Sequence, residues 1–240
     1  MANKEKTVIV TGASQGIGAA VVRAFLERGY NVVGTSRNAT KSAELKASDK
    51  FVLVDGDISH AATAQKVVET AVEKFGSIDT LVNNAGIFMA KPFTEYTEAD
   101  YAAMLAVNLT GFFHFTQIAV AEMEKQRKGH VVRITTSLVD HANSSVPSVL
   151  ASLTKGGLSA ATKSLAIEYA ARGIRVNAVS PGVINSPMQA GGCPEFLGAL
   201  HPMGHMGEIS DIVDAVLYLE SAPFVTGEIL HVDGGQSAGH

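Results

Sequence analysis

Thr11-Gly12-Ala13-Ser14-Gln15-Gly16-Ile17-Gly18 stands directly after an apolar run at residues 7–10 and opens a helical pattern. A helix that starts from such a turn presents unbonded N–H groups and the positive end of its dipole, which together hold a phosphate. Gly12 permits the tight turn, Gly16 lets the backbone approach a pyrophosphate, and Gly18 lets the helix pack closely on its strand. Three glycines alone say little. Between a strand and a helix they predict a dinucleotide site formed by Gly12, Ser14, Gln15, Gly16, Ile17 and Gly18.

Outward from this turn the chain alternates short apolar runs with longer helical patterns, the order expected of βα units feeding a parallel sheet. The runs at 7–10, 31–35, 51–55, 80–83, 130–135, 175–179 and 229–232 are read as strands. Several are almost wholly apolar, as strands covered on both faces must be. Residues 17–28, 63–75, 99–127, 151–171 and 210–221 read as helices, with Gly29, Gly76, Gly129 and Gly173 placed to end four of them. The expectation is an α/β fold: one doubly wound Rossmann domain over residues 1–240, with a seven-stranded parallel sheet flanked by helices. The irregular stretch 182–207, rich in Gly, Pro, Met and His, is expected to select the substrate.

A length of 240 residues and 46% hydrophobic content suit one domain with a sizeable core. A net charge of −4 with 19 dispersed basic residues offers no stripe for a phosphate backbone, so no nucleic-acid partner is expected. The lone Cys193 excludes an intramolecular disulfide framework, residues 1–6 lack the apolar segment of a secretory signal, and no uninterrupted apolar run spans a bilayer. A cytoplasmic protein with a small-molecule substrate and no membrane partner follows as the expectation. His201 and His205, even with Glu208 nearby, lack recognised metal spacing, so no metal site is expected.

Further motifs carry a family likeness. Asn83-Asn84-Ala85-Gly86 follows the fourth strand, Asn108 sits in Val107-Asn108-Leu109-Thr110-Gly111, and Pro181-Gly182-Val183-Ile184 follows the sixth strand. Val225-Thr226-Gly227-Glu228-Ile229-Leu230-His231-Val232-Asp233-Gly234-Gly235 closes the chain's last strand. With three residues between the first two glycines, and matching segments from residue 7 to 235, the chain resembles the single-domain short-chain dehydrogenases/reductases. The resemblance implies that Asp57 and Ile58 meet the adenine ring, and that Asn83, Asn84, Ala85 and Gly86 leave room for a ribose. In the loop begun by Pro181 and Gly182, it implies that Ile184 and Ser186 flank the nicotinamide carboxamide. A carboxylate ending the second strand would bind the 2′-hydroxyl of NAD; Ser36 stands there instead, followed by Arg37, a guanidinium suited to the 2′-phosphate of NADP. NADP is therefore the expected cofactor, although Gln15 occupies a place where NADP-preferring relatives often carry a basic residue.

The family's chemistry uses a Tyr-x-x-x-Lys element, in which Tyr protonates the carbonyl oxygen, a Ser or Thr holds that oxygen, and Asn supports a proton relay. Asn108 and Lys155 match, Lys155 also reaching cofactor ribose hydroxyls, and Ser137 is preferred over Thr136 as the active-site hydroxyl. The Tyr position is Ala151. The five tyrosines are Tyr30, Tyr96, Tyr101, Tyr169 and Tyr218, so no local shift of the alignment restores the acid. Ser137, Ser152, a water polarised by Lys155, or His141 would have to supply the proton, and loss of a general acid costs ~10²–10⁴ in rate. The alternatives are a catalytically silent nucleotide-binding protein, acting as sensor or partner subunit, and an enzyme reducing an activated C=C or C=N bond. The resemblance also implies a homo-oligomer, dimer or tetramer, assembled through the helices at 99–127 and 151–171 and the last strand.

Overall fold

The computed structural model describes residues 5–42 and 44–239; the N-terminal residues 1–4, part of the stretch read as lacking a signal segment, lie outside the described residues. Strand β1 (Thr7–Thr11) is buried along its length because both its faces are covered: Val8 and Val10 point to one hydrophobic layer and Ile9 to the other. Val32 and Val33 of β2 (Asn31–Ser36) divide in the same way, as do Leu81 and Val82 of β4 (Thr80–Asn83). Period-two alternation between two apolar layers is what makes these strands read as unbroken apolar runs. With β3 (Phe51–Asp55), β5 (Gly129–Ile134), β6 (Ile174–Pro181) and the last strand, β9 (Ile229–Val232), they form a seven-stranded parallel sheet in the order β3-β2-β1-β4-β5-β6-β9. A separate ribbon pairs β7 (Ile184–Asn185) with β8 (Gly207–Glu208).

One layer is packed by α1 (Gly16–Glu27) and α7 (Ile209–Ser221), through residues such as Phe25 and Val216. The other holds α2 (Ala61–Phe75), α4 (Gly111–Gln126) and α5 (Val149–Tyr169), through Val67, Phe115 and Ala166. The chain leaves β1 toward one layer and β4 toward the other. A crevice therefore opens between these neighbouring strands at their C-terminal ends, the usual ligand position in such sheets.

Two expectations are corrected here. Gly129 does not end a helix: Arg127 takes the left-handed turn (φ 52°), and Gly129 begins β5, where an added Cβ would lie 2.4 Å from Met123 Sδ. The helix expected at 99–127 is in fact three pieces: α3 (Glu98–Met104), a π-helical segment (Leu105–Thr110) and α4. Such a wide turn is common at functional sites, and this one carries Asn108. By length and composition alone the run Glu98–Gln126 could cross a membrane, although Asn108, Thr110, His114, Thr116 and Gln117 interrupt its apolar residues. Its packing makes it a core element, with Phe115, Ala119 and Met123 fully buried against the sheet. The short α6 (Pro194–Ala199) lies in the irregular stretch after β7.

Opposite the crevice, the sheet is braced by a buried polar cluster. Glu220 of α7 receives bonds from Thr80 Oγ1 (2.8 Å), Lys6 Nζ (3.1 Å) and His130 Nδ1 (2.9 Å), while His130 Nε2 accepts from Asn177 Nδ2 (3.1 Å). These partners assign His130 as neutral with its proton on Nδ1. Burial pushes His130 below its ordinary 6.5 despite the bond to Glu220. Burial raises Glu220, but His130, Thr80 and Lys6 outweigh it and hold the carboxyl at about 2. In both cases the unfolded chain binds a proton that the folded one refuses, so stability falls as pH drops. We expect the unfolding free energy to decline below about pH 6.5 and again from 4.5 toward 2. Glu220→Ala should remove about 3 kcal/mol at pH 7 and flatten the acid limb, as read by urea unfolding against pH.

Candidate functional site

At the mouth of the crevice Gly12 adopts φ +68°, and a Cβ there would lie 2.9 Å from Ala85 Cα. At Gly18 an added Cβ would come within 2.1 Å of Gly12 O. The loop after β4 is sewn to this turn: Asn84 Nδ2 donates to Thr11 O (3.0 Å) and Gly12 O (3.2 Å), and the N–H groups of Asn84 and Ala85 donate to Thr11 Oγ1. No side chain caps the start of α1, so its first N–H groups remain open to a ligand.

A cleft of about 650 Å³ runs from this turn across the sheet edge. Gly12, Ser14, Gln15, Gly16, Ile17, Gly18, Ser36, Arg37, Asp57, Ile58, Asn84, Ala85, Gly86 and Ser186 all border it. Ser36 Oγ is buried with no hydrogen-bond partner, beside the exposed Arg37 at the end of β2. Asp57 Oδ1 accepts from the Ser59 N–H (2.9 Å) and hydroxyl (2.7 Å), and these bonds hold its carboxyl below the usual range.

A second cavity of about 330 Å³ adjoins the cleft, with Ile17, Asn84, Gly86, Ser186 and Met188 common to both walls. Pro181, Gly182 and Ile184 form one side and Thr135, Thr136, Ser137 and Lys155 another. The remaining wall is largely apolar, from Phe88, Leu138, Val146, Phe196, Leu197 and Leu200. Lys155 is the only charged residue lining it among the described residues. Its Nζ donates to Thr135 O (3.1 Å); burial, and then the nearby Arg133 guanidinium, lower its pKa to about 7.

Asn108 borders neither space. Its side chain is fully buried and engaged: Oδ1 accepts from Ile87 N–H (2.9 Å), while Nδ2 donates to Ile87 O (3.1 Å) and Thr154 Oγ1 (3.2 Å). It fastens the loop after β4 to α5. Ser137 lines the cavity but is fully buried and donates to Gln236 Oε1 (2.7 Å), whereas Thr136 on the same wall is half-buried. Ser152 points its hydroxyl at Leu138 O (3.2 Å), and His141 borders neither space. Ala151 is fully buried in a small cluster with Met104 and Leu150, against which Ile87, Phe88, Met89 and Tyr96 pack. None of the five tyrosines lines the cavity.

Sequence reasoning passed over Arg133, whose one signal was a charge inside an apolar strand pattern. It also passed over Phe88, Phe196 and Gln236, brought to the wall only by folding. His201, weighed only as a metal ligand, is buried and accepts the Val183 N–H at Nε2 (2.9 Å), fixing the loop after β6.

A family model described as Enoyl-(Acyl carrier protein) reductase matches residues 12–237. The chain belongs to the short-chain dehydrogenase/reductase family. It is similar to the 3beta-hydroxysteroid dehydrogenase 1 of Eggerthella lenta, 35% identical over 98% of this chain and 94% of the relative. A 3-oxoacyl-(acyl-carrier-protein) reductase of Thermotoga maritima is also 35% identical, over 96% of this chain and 97% of its own. Among solved structures, ElxO with NADP bound is 29% identical with a TM-score of 0.87, covering 98% of this chain and 100% of its own. The 3-ketoacyl-(acyl-carrier-protein) reductase from Brucella melitensis complexed with NADH, with the same identity and coverage, scores 0.90. This short-chain dehydrogenase/reductase is thus an NAD(P)-dependent oxidoreductase with the expected Rossmann architecture.

Proposed function

We propose that this oxidoreductase uses NADP and moves hydride between the nicotinamide and a small, uncharged, mainly apolar carbonyl or activated unsaturated compound, without a tyrosine acid. The observation that carries the reading is Lys155, the one charged group on the wall of an apolar cavity that opens into the nucleotide cleft. The residues suit the cofactor: the uncapped start of α1 and the turn at Gly12 form a pyrophosphate cradle that side chains would fill, and the orphaned Ser36 hydroxyl beside Arg37 can receive a 2′-phosphate. ElxO binds NADP, and a variant of ElxO with one Tyr replaced by Phe binds NADPH, which supports cofactor binding in the absence of a phenol.

When bound, the nicotinamide supplies or takes the hydride. Asp57 and Ile58 would bound the adenine, Asn84, Ala85 and Gly86 a ribose, and Pro181, Gly182, Ile184 and Ser186 the nicotinamide end. Lys155 would hold ribose hydroxyls and deliver the proton, directly or through a water, while Thr136 or Ser137 would steady the substrate oxygen. Asn108 acts here as the brace that positions the loop after β4. Apolar residues exposed on α4 and α5, among them Phe113 (55%) and Ile167 (81%), favour a homo-oligomer, dimer or tetramer. A cytoplasmic location belongs to the same proposal.

Fluorescence titration should show NADPH binding more tightly than NADH, followed by NADPH consumption with apolar ketones or enones. Failure to bind either nucleotide would sink the reading; binding without turnover on any substrate would favour the silent nucleotide-binding alternative. Ala151→Tyr should destabilise the protein by about 1–3 kcal/mol, because a ring is forced into a filled cluster. A rise in turnover with the melting temperature unchanged would instead show that the phenol finds room in the cavity.

A further inference from the structure

Among the described residues the most deeply buried cation is Arg133, on the β5 face that meets α4 and α5. It is 1% exposed. Nη1 donates to Asn83 O (3.3 Å) and Ala85 O (3.2 Å), but Nε and Nη2 have no hydrogen-bond partner among the described residues, and the centroid of the Phe112 ring lies 5.9 Å from the guanidinium carbon. Burial alone lowers its pKa to about 10, so it stays cationic at neutral pH. A buried, half-satisfied guanidinium destabilises a fold, and an apolar side chain would fill the position without that cost. What it does supply is a fixed positive field acting on Lys155.

Among the described residues Lys155 Nζ makes one hydrogen bond, to a carbonyl oxygen, and faces no carboxylate. The elements around it contribute Thr135 and Thr136 after β5, Gly86 after β4 and Gln236 near the C-terminus, and among the described residues Arg133 is the one charged group acting on it. The phenol that family resemblance would place one turn away is the buried methyl of Ala151. A desolvated lysine beside a second cation, on the wall of an apolar cavity, is the arrangement that makes an amine nucleophilic toward carbonyls.

We propose that Lys155 is a nucleophile as well as a cofactor and proton ligand: its amine condenses reversibly with the carbonyl of an uncharged aldehyde or unhindered ketone in the 330 Å³ cavity. The nitrogen lone pair forms the C–N bond as the carbonyl π pair moves to oxygen, and that oxygen takes a proton from the nitrogen to give a carbinolamine. Loss of the hydroxyl as water leaves the imine, and water reverses the sequence. No redox partner is needed. The imine also acidifies the adjacent C–H bonds, so exchange of α-hydrogens with solvent is the activity it would confer. The inference goes beyond the reductase reading, with which it shares the cavity and Lys155, but it needs no bound nucleotide.

The test uses the whole protein without nucleotide, treated with benzaldehyde and sodium cyanoborohydride at pH 7 and mapped by peptide mass spectrometry. A lysine titrating near 7 is about half neutral there, against ~10⁻³ or less for an ordinary lysine. Benzylation at Lys155 should therefore exceed that at Lys163, exposed on the same helix, by at least about tenfold. Labelling of Lys155 no greater than that of Lys163 overturns the proposal. Arg133→Met should cut Lys155 labelling severalfold at pH 7 and move its pH midpoint upward, whereas Arg133→Lys, which keeps the charge and guards against a folding defect, should retain it. Unchanged labelling in Arg133→Met overturns the role of Arg133. Saturating NADPH should protect Lys155; labelling that persists unprotected would overturn the cofactor placement while upholding the nucleophile.

Discussion

Lys155→Met is expected to lower kcat/KM for NADPH-linked reduction by about 10³-fold, within the range for removing a positioned general acid, while raising the melting temperature. The two effects have one cause. On the cavity wall, burial first and the Arg133 cation second hold the partly buried Lys155 near pKa 7 rather than 10.5. Below pH 7 the folded protein bears the full cost of keeping that charge. Above 10.5 the amine is neutral in both folded and unfolded chains, and the cost vanishes. The stability gain of Lys155→Met should therefore be largest below pH 7 and shrink toward pH 10, as measured by urea unfolding across that range. Wild-type kcat/KM for reduction should fall as pH rises past about 7, when Lys155 of the free enzyme loses its proton. A variant that keeps most of its turnover would remove Lys155 from the proton path.

Arg37→Ala is expected to weaken NADPH binding by about 10²-fold and leave NADH nearly unchanged. A hydrogen bond to a charged partner contributes about 1.5–3 kcal/mol, and Arg37 is the cation at the end of β2 where a 2′-phosphate would lie. Adding Ser36→Asp should invert the preference, because a carboxylate there accepts from the ribose 2′-hydroxyl and repels the phosphate. The ratio of the two dissociation constants, measured by fluorescence titration at fixed ionic strength, is the readout. Equal losses for both nucleotides would show that Arg37 meets the pyrophosphate or no ligand at all.

Most of the fold was legible because its signals are local. Strands covered on both faces must be apolar, helices must end where a left-handed residue is tolerated, and the turn at Gly12 must carry glycine. Gly29, Gly76 and Gly173 indeed take positive φ. The exceptions were positions where packing overrode the local pattern. Arg127, not Gly129, turns the chain, because Gly129 is wanted as the small residue under Met123. The helix through Asn108 widens to a π turn, a change that apolar periodicity does not encode.

The amino-acid order by itself determined the Rossmann sheet and the glycine-rich turn that borders the cleft, and it places alanine at 151, since each rests on residue types at short, fixed spacing. Tertiary structure decided what those residues have left to offer. Asn108 has its amide taken by Ile87 and Thr154, Ser137 has its hydroxyl given to Gln236, 99 residues away, and Ala151 lies in a filled cluster. Arg133 reads in sequence as a stray charge in a strand, yet the sheet buries it where its field reaches Lys155. Hydrogen bonds and electrostatic fields act through space between residues far apart in the chain, so only the folded molecule shows which of these groups are already occupied.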